Sequence, residues 1–186
     1  MSFAMRARIM ALHGGSVLKR SALSIRGGAH VFEQLLSGKG YATALEIGTY
    51  RGVAAAEMSQ YVERVVTIDL KQGKLENSGE NFDRLSFWAS LDLKGRVDLF
   101  LANDNEDKRN FVETLSFDFA FIDGAHDQTV KDDFEMVKHC GRVLFHDYDR
   151  RGTPEKDYVY DFVNTLPKEQ VQVIDIFAYW TAPNAQ

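Results

Sequence analysis

The sequence predicts a three-layer α/β sandwich around a mostly parallel sheet of six or seven strands, with an antiparallel strand near the C-terminus. Two observations carry that expectation. From Thr43 onward, short apolar runs alternate with longer amphipathic stretches; strands that apolar, separated by helical segments, read as a parallel sheet covered on both faces. The chain is 186 residues long with 45% hydrophobic content, which suits a single core in a single domain.

The first strand is read at Thr43-Ala44-Leu45-Glu46-Ile47, the second at Val65-Val66-Thr67-Ile68 and the third at Val97-Asp98-Leu99-Phe100-Leu101. The fourth runs from Phe117 to Ile122 and the fifth is Arg142-Val143-Leu144-Phe145. Between them, Gly52 to Tyr61 is alanine-rich and helical in character. Leu75, Phe82, Leu85, Trp88 and Leu91 mark a longer, less regular helical region. Val130, Phe134 and Val137 fall on one stripe at i, i+4, i+7, the pattern of a helix covering a sheet. Tyr158, Phe162 and Val163 open another helix, which stops before Pro167. Upstream, Ala29 to Leu36 reads as a helix ending at Gly38, and residues 1–28 as an arm or short helix. The chain therefore divides into an N-terminal arm and helix over 1–40 and a core over 41–186, with no linker between domains. Val171 to Trp180 is strand-like without a Gly or Asn turn, which leaves either one long strand or an unusual hairpin.

Charge narrows the function classes. A net charge of −5 argues against broad attraction to nucleic-acid phosphates or anionic lipid; Arg6, Arg8, Lys19, Arg20 and Arg26 read as a solvated surface. Cys140 is the single cysteine, so no intrachain disulfide forms, and a buried structural thiol in a reducing compartment is expected. The early apolar stretch Ile9-Met10-Ala11-Leu12 is too short for a signal-peptide core, and no run approaches the ~18 apolar residues of a membrane helix. The expected location is the cytoplasm.

The chemistry concentrates after the first strand, in Glu46-Ile47-Gly48-Thr49-Tyr50-Arg51-Gly52. Glycines there give a tight strand-to-helix turn its φ freedom and let a ligand approach the backbone, while N–H groups at the helix start face a polar ligand. Asp69, at the tip of the second strand, suits an acceptor for the two hydroxyls of a ribose. The dinucleotide fingerprint G-x-G-x-x-G is absent, because Tyr50 and Val53 stand where its second and third glycines belong. A ligand without phosphates fits this turn better.

The run Leu45 to Gly52 resembles motif I of class I S-adenosylmethionine-dependent methyltransferases. The similarity extends through Asp69, then Phe121-Ile122-Asp123-Gly124-Ala125-His126-Asp127, then Phe145-His146-Asp147-Tyr148. Together these resemble the methyltransferase subfamily with an I-D-G-x-H element and a downstream H-D element, over roughly residues 40–165. The resemblance implies a Rossmann-like core and S-adenosylmethionine as cofactor. It implies that Gly48 and Gly52 frame the methionine part, with Glu46 supporting the loop and Thr49, Tyr50 and Arg51 lining it. Asp69 would hold the ribose, Asn103 and Asp104 would sit by the adenine, and Asp123 would border the cofactor. The family often reads Gly-Asp-Ser where this chain has Ala102-Asn103-Asp104.

Asp123 and His126 follow the fourth strand, and His146 and Asp147 the fifth, so all four border the crevice where doubly wound sheets take ligands. Two catalytic readings compete. Asp123 and Asp147 would hold a divalent cation such as Mg²⁺, which prefers oxygen ligands, and the resemblance to cation-dependent catechol-type O-methyltransferases implies that option. Those enzymes usually place Asn after the second acid, where this chain has Tyr148. Alternatively a histidine is the general base, His126 first and His146 next. The expected reaction is methyl transfer to oxygen on a small molecule, with substrate access depending on the N-terminal arm or a second subunit in a homodimer. The competing functions are a nicotinamide-dependent oxidoreductase, disfavoured by Tyr50 and Val53, and a non-catalytic cofactor-binding protein, for which the acid and histidine cluster has no use. Tyr158, Tyr160 and Phe162 are expected in the core rather than in a substrate pocket. His13, His30 and His139 are expected at the surface or in packing, and Asp104, Glu106 and Asp107 at the start of a helix.

Overall fold

The computed structural model describes residues 28–73, 82–125, 127–148 and 154–185. Within them, seven strands form one sheet in the order β3-β2-β1-β4-β5-β7-β6. The strands are β1 (Thr43–Ile47), β2 (Arg64–Leu70), β3 (Val97–Ala102), β4 (Phe119–Ile122), β5 (Arg142–Phe145), β6 (Val171–Ile174) and β7 (Phe177–Thr181). Strands β1 to β5 pair in parallel, and β7 runs antiparallel to both β5 and β6. The helices are α1 over residues 28–36, then α2 (Val53–Met58), α3 (Arg84–Ser90), α4 (Asn105–Glu113), α5 (Thr129–Val137) and α6 (Pro154–Val163).

Strict alternation along the central strands builds two cores. On one face Ala44, Phe119, Phe121 and Leu144 meet Val31, Phe32 and Leu36 of α1, Ala55, Ala56 and Met58 of α2, and Phe87 and Trp88 of α3. On the other, Leu45, Ile47, Val66, Ile68, Ala120, Ile122, Val143 and Phe145 meet Val112 of α4, Val130, Phe134 and Val137 of α5, and Val159 and Val163 of α6. Each Val, Leu, Ile, Phe or Met side chain among them contributes about 1.5–3 kcal/mol when taken from water, and a strand carrying apolar side chains on both faces has no solvent side. This is the three-layer sandwich expected from the sequence.

One open alternative is resolved and one expectation is corrected. Of the two forms left open for the C-terminal segment, it takes the hairpin: Asp175 adopts φ 54 and supplies the left-handed residue for the two-residue connection between β6 and β7. Aspartate tolerates that conformation almost as Asn does, so the missing Gly or Asn was no obstacle. The fourth strand begins at Phe119, not Phe117, because Asp118 turns its side chain onto β1, accepting from the N–H groups of Ala42 at 2.8 Å and Thr43 at 3.0 Å. The N-terminal arm, with its arginines and His13, lies outside the described residues, as do Leu75 and the loop after Tyr148.

The sheet order places the functional crevice. The chain runs outward from β1 to β3, then returns to lay β4 on the other side of β1, so the carboxyl ends of β1 and β4 diverge at a switch point. Parallel register then aligns four strand ends. Ile47 pairs with Ile68 and with Ile122, and Ile122 pairs with Phe145. Gly48, Asp69, Asp123 and His146 are the residues that follow these pairs.

Candidate active site at the switch point

The turn after β1 rests on a buried polar chain. Glu46 is fully buried, and burial pushes its carboxyl well above the ordinary value of 4.5; the nearby Asp123 and Asp69 carboxylates push the same way, against a hydrogen bond from Thr67 and the charge of Arg84. Thr67, its register partner on β2, donates its hydroxyl to Glu46 Oε2. That proton is committed, so Thr49 donates to Thr67 Oγ1 across 2.6 Å. Thr49 is pinned by this chain from beneath the turn.

Three residues of the turn have positive φ: Gly48 at 100°, Tyr50 at 43° and Gly52 at 70°. The glycines are required by the protein's own atoms, which is a different reason from ligand approach. A Cβ on Gly48 would overlap the Asp123 carbonyl of the neighbouring strand end, and one on Gly52 would overlap the Trp88 ring. Tyr50 holds the left-handed conformation with a side chain, at a cost of about 1–2 kcal/mol. Its N–H donates to Asp69 Oδ2 at 3.0 Å, and its carbonyl accepts from Arg84 Nε. Arg51 lies over the rings of Tyr50, at 5.2 Å, and Phe82, at 5.8 Å.

Asp69, near the end of β2, accepts from Tyr50 and from Arg84 Nη2, at 3.1 Å, on the same oxygen. Its other oxygen accepts from the N–H of Leu70 at 3.0 Å. Beyond β3, Asn103 accepts from Lys71 Nζ at 2.6 Å and donates Nδ2 to Asp107 at 2.6 Å. Asp104 caps α4 by accepting from the N–H of Asp107 at 2.8 Å, with Glu106 and Asp107 in the first turn, as expected for that acid run. Both residues expected near the adenine thus spend their side chains on their own helix start.

On the other side, His146 Nδ1 lies 2.8 Å from Asp123 Oδ1 and 3.5 Å from Asp147 Oδ1. The imidazole is buried and packs against Phe177 and Phe121, ring centroids 5.1 and 6.2 Å away. Asp147 reaches it from a left-handed backbone, φ 60. Both contacts are close approaches that lack hydrogen-bond geometry at Nδ1, and an imidazole beside carboxylates at the crevice has the chemistry of a general base. Asp123, His146 and Asp147 are therefore brought together as the sequence suggests; His126 lies outside the described residues. Among the described residues no group of three His, Cys, Asp or Glu is arranged to hold a metal ion. Both carboxylates named for a cation face the same imidazole nitrogen.

The residues expected elsewhere fall as follows. Burial raises the half-buried Cys140 thiol to about 11, so it is an inert thiol beside the Arg142 carbonyl. His139 packs on Phe117, and the exposed His30 pairs with Asp175 at 3.0 Å. Phe162 packs on Phe134 and Phe145, Tyr160 lies beside Tyr148, and Tyr158 is exposed rather than core. Sequence reasoning missed Thr67, Arg84 and Trp88. A signal existed for the last two: Asp83 is an N-cap residue, accepting from the N–H groups of Leu85 and Ser86, and it places Arg84 and Trp88 four apart on one helix face.

Residues 45–148, more than half of the chain, match the model of a family described as "Methyltransferase domain". No curated protein matches the chain in sequence. Among solved structures, a Staphylococcus aureus protein provisionally assigned as a caffeoyl-CoA O-methyltransferase superposes with a TM-score of 0.66 at 16% identity, covering 97% of this chain and 100% of its own. An O-methyltransferase from Bacillus cereus in complex with S-adenosylhomocysteine gives 0.61 at 18% identity, over 96% of this chain and 88% of its own. An rRNA methylase from Streptococcus thermophilus gives 0.56 at 14% identity, over 83% and 93%. At these identities the likeness is one of fold.

Proposed function

The chain belongs to the methyltransferase-domain family and is an S-adenosylmethionine-dependent methyltransferase; from that premise we propose that it methylates oxygen on a small molecule, with His146 as the base. The observation that carries this reading is the 2.8 Å pairing of His146 Nδ1 with Asp123 at the switch point, beside the Gly48 turn. The residues present fit the cofactor's chemistry. The Asp69 and Asp123 carboxylates lie near enough for both to act on Glu46, a setting that favours a cationic sulfonium and ammonium, and Asp69 offers carboxylate oxygens where a ribose is expected. Thr49, Tyr50 and Arg51 line the turn, and Gly48 and Gly52 set its shape.

When bound, the cofactor supplies a methyl group activated by its sulfonium. The chain's task is to orient the acceptor and take a proton. Asp123 would orient His146 through their 2.8 Å contact, and His146 would take the proton from the acceptor hydroxyl. Positioning supplies much of the acceleration in an in-line displacement. A net charge of −5 favours a small acceptor over RNA, and no helix among the described residues is long and apolar enough to cross a membrane.

A divalent cation held by Asp123 and Asp147 is the competing use of the same carboxylates, and would have to draw both from His146. Methyl transfer from labelled S-adenosylmethionine is to be measured over hydroxylated small molecules and over RNA, with and without chelator. Label in a small hydroxylated compound, unaffected by chelator, is the expected outcome. Label confined to RNA would overturn the acceptor class, and loss of activity with chelator would reassign Asp123 and Asp147 to a cation.

A further inference from the structure

We infer that Arg84 and Trp88 of α3 are positioning residues that hold the cofactor turn in its binding shape from outside motif I. This rests on the reading above that the turn receives S-adenosylmethionine. Arg84 is buried to 5% exposure, and its guanidinium joins two separate elements: Nε donates to the carbonyl of Tyr50 in the turn, and Nη2 to Asp69 at the tip of β2. One turn further along the same helix, Trp88 Nε1 donates to the carbonyl of Gly52 at 2.9 Å, and its ring fills the space beside that glycine's Cα. The two side chains thus take hold of both halves of the turn, at residues whose φ values are 43° and 70°.

The physical need is clear at Tyr50. A non-glycine residue there stores strain, and such strain persists only where surrounding contacts over-determine it. Asp69 accepts from the Tyr50 N–H while Arg84 donates to its carbonyl, so the peptide groups on both sides of Tyr50 are fixed. Arg84 also fixes the Asp69 oxygen that holds the turn. Without Arg84 the turn and the ribose carboxylate would each relax in the free protein, and the ligand would have to reorder them. A planar fork serves this better than an ammonium, which makes one point contact.

The test is calorimetric titration of S-adenosylhomocysteine into the whole chain, at a temperature where circular dichroism shows every variant folded. Arg84→Gln is expected to weaken binding about tenfold, the equivalent of one charge-assisted hydrogen bond. Arg84→Lys should recover part of that loss, and Trp88→Phe, which keeps the ring and drops the N–H, should weaken binding a few-fold. Adding Arg84→Gln to Asp69→Asn should cost less than the sum of the single effects, because both act on the same oxygen; a merely structural arginine would give additive losses. Affinity of R84Q within twofold of wild type, or tighter, overturns the proposal, tighter binding meaning that Arg84 competes with the ligand for Asp69. Should R84Q not fold, R84K and W88F carry the test, and wild-type affinity in both overturns it. Absence of binding by the wild-type protein defeats instead the cofactor reading beneath it.

Discussion

The two sides of the crevice are built differently. On the β1 side, residues 46–52 form a backbone device: three residues of positive φ, with Gly48 packed against Asp123 and Gly52 against Trp88, tied down by Thr67, Asp69 and Arg84. On the β4–β5 side, Asp123, His146 and Asp147 form a side-chain device, one imidazole facing two carboxylates at strand ends. A backbone device tolerates almost no change of shape. A side-chain device tolerates changes of shape but not of chemistry. Mutations on the first side should therefore act on binding and folding, and on the second side on turnover.

The largest effect that would break this contrast is at Gly48. Gly48→Ala puts a methyl group into the Asp123 carbonyl at φ 100. Overpacking and left-handed strain together cost about 3 kcal/mol or more. A thermal melt should show a fall of about 10 °C for a chain of this size, and S-adenosylhomocysteine binding should be lost. A G48A protein with native stability and affinity would mean that the turn is not a rigid device.

Next in size, His146→Gln should lower kcat by about 10²–10⁴, the usual worth of a general base, with cofactor affinity changed by no more than about threefold. Steady-state kinetics beside a binding titration separate the two. A loss confined to affinity would move His146 to the cofactor side. Retained kcat would remove it from the chemistry and point to His126.

The smallest expected effect lies beneath the turn. Glu46 has a folded-state pKa above its unfolded value, so between the two the native state holds more protons and stability falls as pH rises through that window. Glu46→Gln keeps an oxygen to accept from Thr67 and removes the titration. Urea unfolding from pH 5 to pH 8 should thus show a flatter profile for E46Q than for wild type. Parallel profiles would show that Glu46 is ionised in the folded protein.

The same contrast explains what the sequence could reveal. Strands β1 and β5 fall at the expected bounds because they are apolar runs buried on both faces. The crevice was legible because parallel register alone brings Gly48, Asp69, Asp123 and His146 to one edge. The reason for Gly52 was not, since it is a contact with Trp88, thirty-six residues away. Trp88 reads as one apolar marker in an irregular helix, and nothing local reveals that its N–H is spent on the turn. Asn103 and Asp104 carry two signals at once, since the pattern that suggests a ligand contact also suggests a helix cap, and their side chains hydrogen-bond at the start of α4.

The most direct test of the central claim is a crystal structure of the chain grown with S-adenosylhomocysteine. The account predicts the ribose hydroxyls within hydrogen-bond distance of Asp69 and the amino-acid end lying along residues 48–52. A ligand bound elsewhere, or a ribose that leaves Asp69 untouched, would contradict it.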